Sequence, residues 1–235
     1  MITAQPINQL QAYAKAMELL PNVIFFVKDE ACRYRLANQT MANLCGVSNP
    51  AELLGRSTAE FFERSYVAWC NELDRGVLSG SSYERRLDCV TDARGEQHWT
   101  LYSRVPVLVN NGSRAIVSVS QIMTRGANED RYRRLRLLTE EMFDDLADRW
   151  THARMAERVQ ATETVVETDF QVVFGCTPKD YLDQARVNFA IELILRGEPL
   201  VDVAAKLGFS EQSALSRFIK RMTGRSPRQF RVAQN

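Results

Sequence analysis

The stretch from Leu200 to Arg231, LVDVAAKLGFSEQSALSRFIKRMTGRSPRQFR, constrains this chain more than any other. Val201, Val203, Ala204 and Leu207 recur at helical spacing and give a short helix one apolar face. Gly208 stops it, because glycine takes the left-handed turn conformation at little steric cost. Phe209 follows as an apolar plug. Ser210 is a good N-cap for a second helix, and Glu211 falls in its first turn, where the helix dipole favours negative charge. In that helix Ala214, Leu215, Phe218, Ile219 and Met222 form the stripe to be buried. Gln212, Ser213, Ser216, Arg217 and Lys220 fall on the opposite side, facing water. Gly224 and Ser226-Pro227 set off a last basic helix, Arg228 to Arg231.

Two short helices about a glycine turn, the second with a polar outer face, make a helix-turn-helix. Gln and Arg read adenine and guanine edges bidentately in the major groove. From Lys206 to Arg231 the chain places seven bases against one acid, although its formal net charge is only +1. That concentration is the footprint of a phosphate-contact surface. A solvated basic face would carry the same charge, but it has no need of the ordered helix, the turn and the polar recognition face. The pattern V-x-x-V-A-x-x-L-G-F-S-x-Q-S-x-L-S-R-x-x-K-x-x-x-G-x-S-P-x-x-F-R resembles the second helix-turn-helix of AraC-type transcription regulators, without a gap. The resemblance implies base-facing roles for Gln212, Ser213, Ser216 and Arg217, and phosphate contacts for Lys220 and Arg228, with Arg221 beside them. It also implies double-stranded DNA as partner and RNA polymerase as a candidate one. Leu215 and Ile219 stand where the family often has aromatic residues, a change of core and not of function.

At 235 residues, 45% apolar and 25% charged, the chain suits two ordinary globular domains of roughly 100 residues each. No apolar run approaches ~18 residues, so no membrane span is expected. The start, MITAQPINQL, lacks a secretory signal pattern. The five cysteines, Cys32, Cys45, Cys70, Cys89 and Cys176, are odd in number and scattered, with no Cys-x-x-Cys pair. A cytoplasmic protein with reduced thiols and no cysteine metal motif is expected.

Residues Ala12 to Thr124 read as one α/β sensory domain. A helix from Ala12 to Leu20 stops at Pro21, and the apolar run Val23 to Val27 pairs with Tyr34 to Ala37. Asn38 caps a helix to Leu44. Short helices around Pro50 to Leu54 and Ser57 to Phe62 precede a longer one, Tyr66 to Leu78. Three strands follow, Ser82 to Val90, His98 to Val107 and Arg114 to Met123, turning at Asp92 to Gly95 and at Asn110-Asn111-Gly112. This order resembles a PAS domain. Leu20-Pro21-Asn22-Val23, Tyr34 to Asn38, Glu52 to Ser57 and Gly95 to Trp99 resemble its motifs in sequence order, with its closing Asp-Ile-Thr altered to Ile122-Met123-Thr124.

The resemblance implies a ligand pocket or a dimer face. Haem through the usual helix histidine is not expected, because the only histidines are His98 and His152, and neither lies in that helix. A photoactive flavin would need a cysteine in GRSTAEFF, which has none; Cys45, in another helix, reads as a small buried apolar residue. A small organic effector, or no ligand, remains. The candidate pocket residues are Tyr34, Tyr83, Arg85, Trp99, Tyr102 and Arg104; either arginine could clamp a carboxylate, or lie on a solvated face. Alternation puts Arg104 on the side of Tyr102 and His98, opposite Trp99 and Leu101, without saying which side is inner.

Residues 125–150 read as a connecting helix. Tyr132, Leu135, Leu138, Met142, Leu146 and Trp150 form one apolar stripe, which suits either the seam of a homodimer or packing onto the chain's own domains. Residues 151–235 then form an all-α domain with two helix-turn-helix motifs. The first, between Met155 and Leu182, resembles the first AraC-type half, with Thr164, Glu167 and Thr168 at its groove-facing positions. Thr168 stands where the family commonly has arginine, and between Trp150 and Ala205 nine acids outnumber five bases. A half that keeps its fold but grips DNA weakly is expected. The whole reads as an α+β chain: a five-stranded antiparallel sheet with helices, a connecting helix and a helical DNA reader. The function expected is sequence-specific transcription regulation; the alternative is a protein-interaction module with weak or nonspecific DNA binding. No nucleophile triad, phosphate loop or metal cluster is legible, so catalysis is not expected.

Overall fold

The computed structural model describes residues 7–109, 112–123, 126 and 128–232. The chain divides into two units at Glu129 and Asp130. The turn at Asn110-Asn111 and the closing Thr124 lie outside the described residues.

The first unit runs α1 (Ile7–Met17), β1 (Val23–Lys28), β2 (Tyr34–Ala37), α2 (Gln39–Leu44), two 3-10 turns, α3 (Arg64–Leu78), β3 (Tyr83–Thr91), β4 (Gln97–Leu108) and β5 (Arg114–Ile122). The five strands form one sheet in the order β2-β1-β5-β4-β3, every pair antiparallel. β1 is an interior strand covered on both faces, which is why it is a continuous apolar run and not an alternation. Ile24 and Phe26 pack with Tyr34, Met41 and Leu53 on one face; Phe25 and Val27 pack with Leu10 of α1 on the other. Asn38 fixes how α2 leaves the sheet. Its side-chain oxygen accepts from the backbone N–H of Met41 (3.1 Å) and of Phe25 (3.0 Å), while its amide donates to the Val23 carbonyl (2.7 Å). One residue thus caps a helix and bonds the first turn of that helix to the start of β1.

The second unit contains α4 (Glu129–Asp144), α5 (His152–Arg158), α6 (Glu163–Phe174), α7 (Pro178–Leu195), α8 (Leu200–Lys206), α9 (Gln212–Thr223) and α10 (Pro227–Val232). The expected connecting helix is shorter than its apolar spacing suggests, ending at Asp144. Its stripe is buried within this unit: Tyr132, Leu135, Leu138, Met142 and Leu146 are all core residues. Of the two readings of the stripe, the dimer seam is therefore corrected, because those side chains are already spent on intramolecular packing. Trp150, expected on the same stripe, instead donates its indole N–H to the Asp145 carbonyl (3.1 Å) and stacks under Arg154. Polar contacts tie α4 and its tail to the rest of the unit. Arg158 of α5 pairs with Glu141 (2.5 Å), and Arg186 of α7 donates to the carbonyls of Leu146 (2.7 Å) and Asp148 (2.8 Å). Phe170, Phe174 and Tyr181 form an aromatic cluster beneath Phe143.

Candidate nucleic-acid interface and sensor cavity

The Leu200–Arg231 stretch folds as two helices about Gly208, which has φ +72°. A Cβ there would also lie 2.4 Å from the Ala147 carbonyl oxygen, so the turn needs glycine for its conformation and for its space. Leu215, Phe218 and Ile219 are buried with Val203, Ala204 and Leu207, and Phe209 packs its ring on Phe218 at 5.2 Å. Val201, read as part of the first apolar face, is 60% exposed. The cap falls one residue later than the expected Ser210: α9 starts after Glu211, whose carboxylate accepts from the Ser213 hydroxyl (2.9 Å).

Gln212, Ser213, Arg217 and Lys220 stand exposed on α9, with Ser216 half-buried between them and Arg228 exposed on α10. Gln212, Arg217, Lys220 and Arg228 have no side-chain partner among the described residues. Other bases of the cluster make contacts within the unit while staying exposed. Arg221 turns toward Asp183 of α7 (3.4 Å) and the Phe218 ring, Lys206 pairs with Glu198 (2.6 Å), and Arg231 donates to the Glu198 carbonyl. What α9 offers to a partner is thus a narrow strip of polar and basic side chains on a rigid, packed helix.

The first half-motif has the same build and a different surface. Thr162 caps α6, accepting from the Val165 N–H (3.3 Å). The outer face carries Thr164, Val165, Glu167, Thr168, Gln171 and Val172, all exposed, Val172 at 60%. No lysine or arginine stands on it. The Thr168 hydroxyl donates to the Thr164 carbonyl (2.7 Å). Asp169, one of the nine acids counted in this segment, does not share that outer face: it is only 3% exposed and faces inward. There Arg131 Nε holds one carboxylate oxygen at 2.6 Å, and Arg134 holds the other through Nη2 (2.8 Å) and Nε (3.3 Å). Val166, Asp169, Phe170 and Val173 share one face, and an acid on an apolar stripe was the readable sign that a cation must meet it. Asp183, Glu192 and Glu198, counted as local acids in the same segment, are likewise paired, with Lys179, Arg196 and Lys206.

In the first unit the sheet face carrying Phe26, Tyr102 and Arg104 is the inner one. It borders a cavity of about 30 Å³, and Tyr34, Tyr102 and Arg104 of the six candidates line it. The other three do not. Trp99 is buried on the opposite sheet face, as β4 alternation requires. Arg85 is exposed at the β3 bulge with φ +52°, its N–H donating to Ser103 Oγ (3.0 Å). Tyr83 sets its hydroxyl against Gly76 of α3. Sequence reading missed the charged centre. Lys28 Nζ donates to Asp74 Oδ2 and Thr58 Oγ1, each at 2.7 Å, and Arg104 Nη1 donates to Asp74 Oδ1 at 2.6 Å. The signal was present: Lys28 continues the Ile24–Phe26 face of β1, and Asp74 lies on the Cys70–Leu73–Val77 stripe of α3. Opposite charges on two apolar stripes are there to meet.

Burial opposes the Arg104 charge, but Asp74 beside it raises its pKa, so the guanidinium stays charged. Burial pushes the Tyr34 and Tyr102 phenols up and the Cys45 thiol to about 12, which keeps that sulfur protonated and unreactive at neutral pH. Away from this cavity, Asp92, Glu96 and His98 bring three potential metal-ligand atoms within 4.8 Å of one another, a grouping the sequence reading did not find. Burial works against the Asp92 carboxylate, but hydrogen bonds from His98 (3.0 Å) and from the N–H groups of Glu96 and Arg94 (2.9 Å each) hold its pKa below the usual value. Those bonds are ordinary turn chemistry for the β3–β4 hairpin.

Among known families, a helix-turn-helix domain matches residues 155–233 and a PAS fold matches residues 17–128. The virulence regulon transcriptional activator VirF of Yersinia enterocolitica is 28% identical over 94 residues, covering 40% of this chain and 35% of the relative. A putative AraC-like transcription regulator of Streptomyces antibioticus is 30% identical over 88 residues, covering 37% and 29%. The chain thus spans about a third of the length of the curated relatives it matches. Among solved structures, the DNA-binding domain of AdpA in complex with a target DNA is 24% identical with a TM-score of 0.38, over 41% of this chain and 87% of that one. VqmA bound to DPO is 20% identical with a TM-score of 0.43, over 75% and 88%. At such scores neither likeness bears on function. Among the described residues no helix is long and apolar enough to cross a membrane. The two domain families match in chain order on the two units described above, the PAS fold on the first and the helix-turn-helix domain on the second, and the curated relatives similar to the second are transcription regulators.

Proposed function

We propose that the chain is a one-component transcription regulator of the cytoplasm that binds double-stranded DNA in a sequence-specific way through its second helix-turn-helix. The observation that carries this is the outer strip of α9, where Gln212, Arg217 and Lys220 stand exposed and without side-chain partners among the described residues, on a helix whose other face buries Leu215, Phe218 and Ile219. Side chains that can read base edges are held ready on a rigid element, and Lys220 and Arg228 flank them to neutralise phosphates. Ser213 and Ser216 fill the strip, and Arg221 belongs to its edge. The first half-motif contributes position more than grip, since Thr164 and Thr168 share their face with Glu167 and with no base. A homodimer supplies the remaining affinity through a surface other than the α4 stripe. The PAS domain supplies the signal by taking a small organic effector, and RNA polymerase is the partner of the bound regulator.

A salt titration tests this against the alternative of an interaction module with weak DNA binding. Fluorescence anisotropy on a duplex selected from a random pool, with a scrambled duplex beside it, gives the slope of log affinity against log salt. Lys220 and Arg228 as phosphate contacts give a slope near −2 per bound subunit, at about −0.9 per contact. The selected duplex stays at least ~10³-fold tighter than the scrambled one. Equal, weak affinities for both duplexes would favour the interaction module.

A further inference from the structure

We infer that the cavity on the inner face of the PAS sheet takes a planar, single-ring molecule that presents an sp² oxygen, as carbonyl or carboxylate, to Arg104. This rests on reading the PAS domain as an effector sensor and gives that effector a chemistry. Arg104 lines the cavity with its side chain 6% exposed. Nη1 is spent on Asp74, but Nε is buried without a hydrogen-bond partner among the described residues. Across the β4–β5 ladder Arg104 faces Ser118, whose buried hydroxyl also lacks one. A buried charged donor left unmade is costly, so a group that accepts from it binds with a gain that an apolar group cannot match. Lys28 lines the same cavity. Its ammonium has three donors and uses two, on Thr58 and Asp74. Lys28 and Arg104 share the carboxylate Asp74, and the buried Asp88 also lines the cavity, so the preference for an acceptor comes from the unmet donors and not from net charge.

The walls give the shape. Phe62, Tyr66, Trp69 and Tyr102 follow one another around the cavity with ring centroids 5.2, 5.5 and 5.8 Å apart, and Phe26 and Tyr34 close the other side. Flat aromatic walls about a few polar groups select a flat ligand. At about 30 Å³ the cavity holds roughly one or two waters, against the ~150 Å³ that a benzene-sized guest fills. Phe62, Tyr66 and Trp69 are half-buried, whereas Phe26, Tyr34 and Tyr102 are core. The ring therefore enters by displacing the Phe62–Trp69 wall at the start of α3. Occupancy then moves that wall, which converts binding into a change of shape.

Four single-ring probes on the full chain test this: benzoate, benzamide, toluene and benzylammonium, each titrated by calorimetry and by thermal shift. Benzoate, benzamide or both bind at least ~10-fold tighter than toluene and benzylammonium, and raise the melting temperature of the first unit. A preference for benzoate assigns a carboxylate, and equal binding assigns a neutral carbonyl. Arg104→Met removes the preference and leaves toluene unchanged. Arg104→Gln, which keeps a polar side chain beside Asp74, gives the same loss should the Met variant fail to fold. Toluene or benzylammonium binding as tightly as the oxygen-bearing pair overturns the assigned chemistry and leaves the sensor reading standing. No binding by any of the four overturns both.

Discussion

Replacing Asp169 with asparagine keeps the size of the side chain and removes its charge. In the structure that carboxylate is nearly buried and accepts three N–H bonds from two guanidiniums of α4. Charge-assisted hydrogen bonds contribute about 1.5–3 kcal/mol each where buried. The arginine side chains are 24% and 32% exposed, so water screens part of that and re-solvates them when the charge is lost. Two ion pairs so discounted give about 2–3 kcal/mol for Asp169→Asn. For a unit of this size that lowers the melting temperature by roughly 10–20 °C. Circular dichroism at the helical minimum follows it, since the second unit carries most of the helix. A double-mutant cycle of Asp169→Asn with Arg131→Met and Arg134→Met separates coupling from simple loss of packing, with a coupling energy of about 1 kcal/mol or more for each pair. A stability loss below about 0.5 kcal/mol, or no coupling in either cycle, would refute the argument that α4 holds α6 through this carboxylate.

Three further outcomes follow from the same packing. Leu135→Glu places a charge in the core of the second unit and unfolds it at a cost of about 3–5 kcal/mol; sedimentation of a folded, monomeric variant would instead restore the stripe as a dimer seam. Gly208→Ala, strained by φ +72° and by the Ala147 carbonyl, costs at least about 1–3 kcal/mol, read as a fall in chemical-denaturation midpoint with an unchanged slope. Glu167→Gln tightens DNA binding modestly and for all sequences, most at low salt, where repulsion is least screened. Loss of affinity at one cytosine in that variant would show that α6 reads a base with its carboxylate.

What the sequence disclosed was what lies within one element. The two-residue and 3.6-residue periods, the turn glycines and Asn38 placed the strands, the helices and the exposed strip of α9. The run Val23 to Val27 declared a doubly covered strand by its lack of alternation. What it withheld depends on contacts between elements far apart in the chain. The α4 stripe could serve a dimer or the chain itself, and only packing within the unit decides that. Asp169 counted as repulsive charge because its arginines lie 35 and 38 residues away. Lys28, Asp74 and Arg104 come from β1, α3 and β4, and no local pattern joins them. Trp99 and Arg104 could not be sorted until the inner face of the sheet was known. The pair of Arg221 with Asp183 joins residues 38 positions apart in the same way.

Base reading by α9 is tested most closely by the affinity of Arg217→Ala for every single-base variant of the selected duplex, with Lys220→Ala measured in parallel. Arg217→Ala loses about 1–3 kcal/mol, or roughly 5- to 150-fold, with preference relaxed at one base pair and kept at the others. Lys220→Ala weakens every duplex alike and lowers the salt slope by about 0.9 per subunit. An Arg217→Ala protein with unchanged affinity and unchanged preference at every position would contradict base reading by α9.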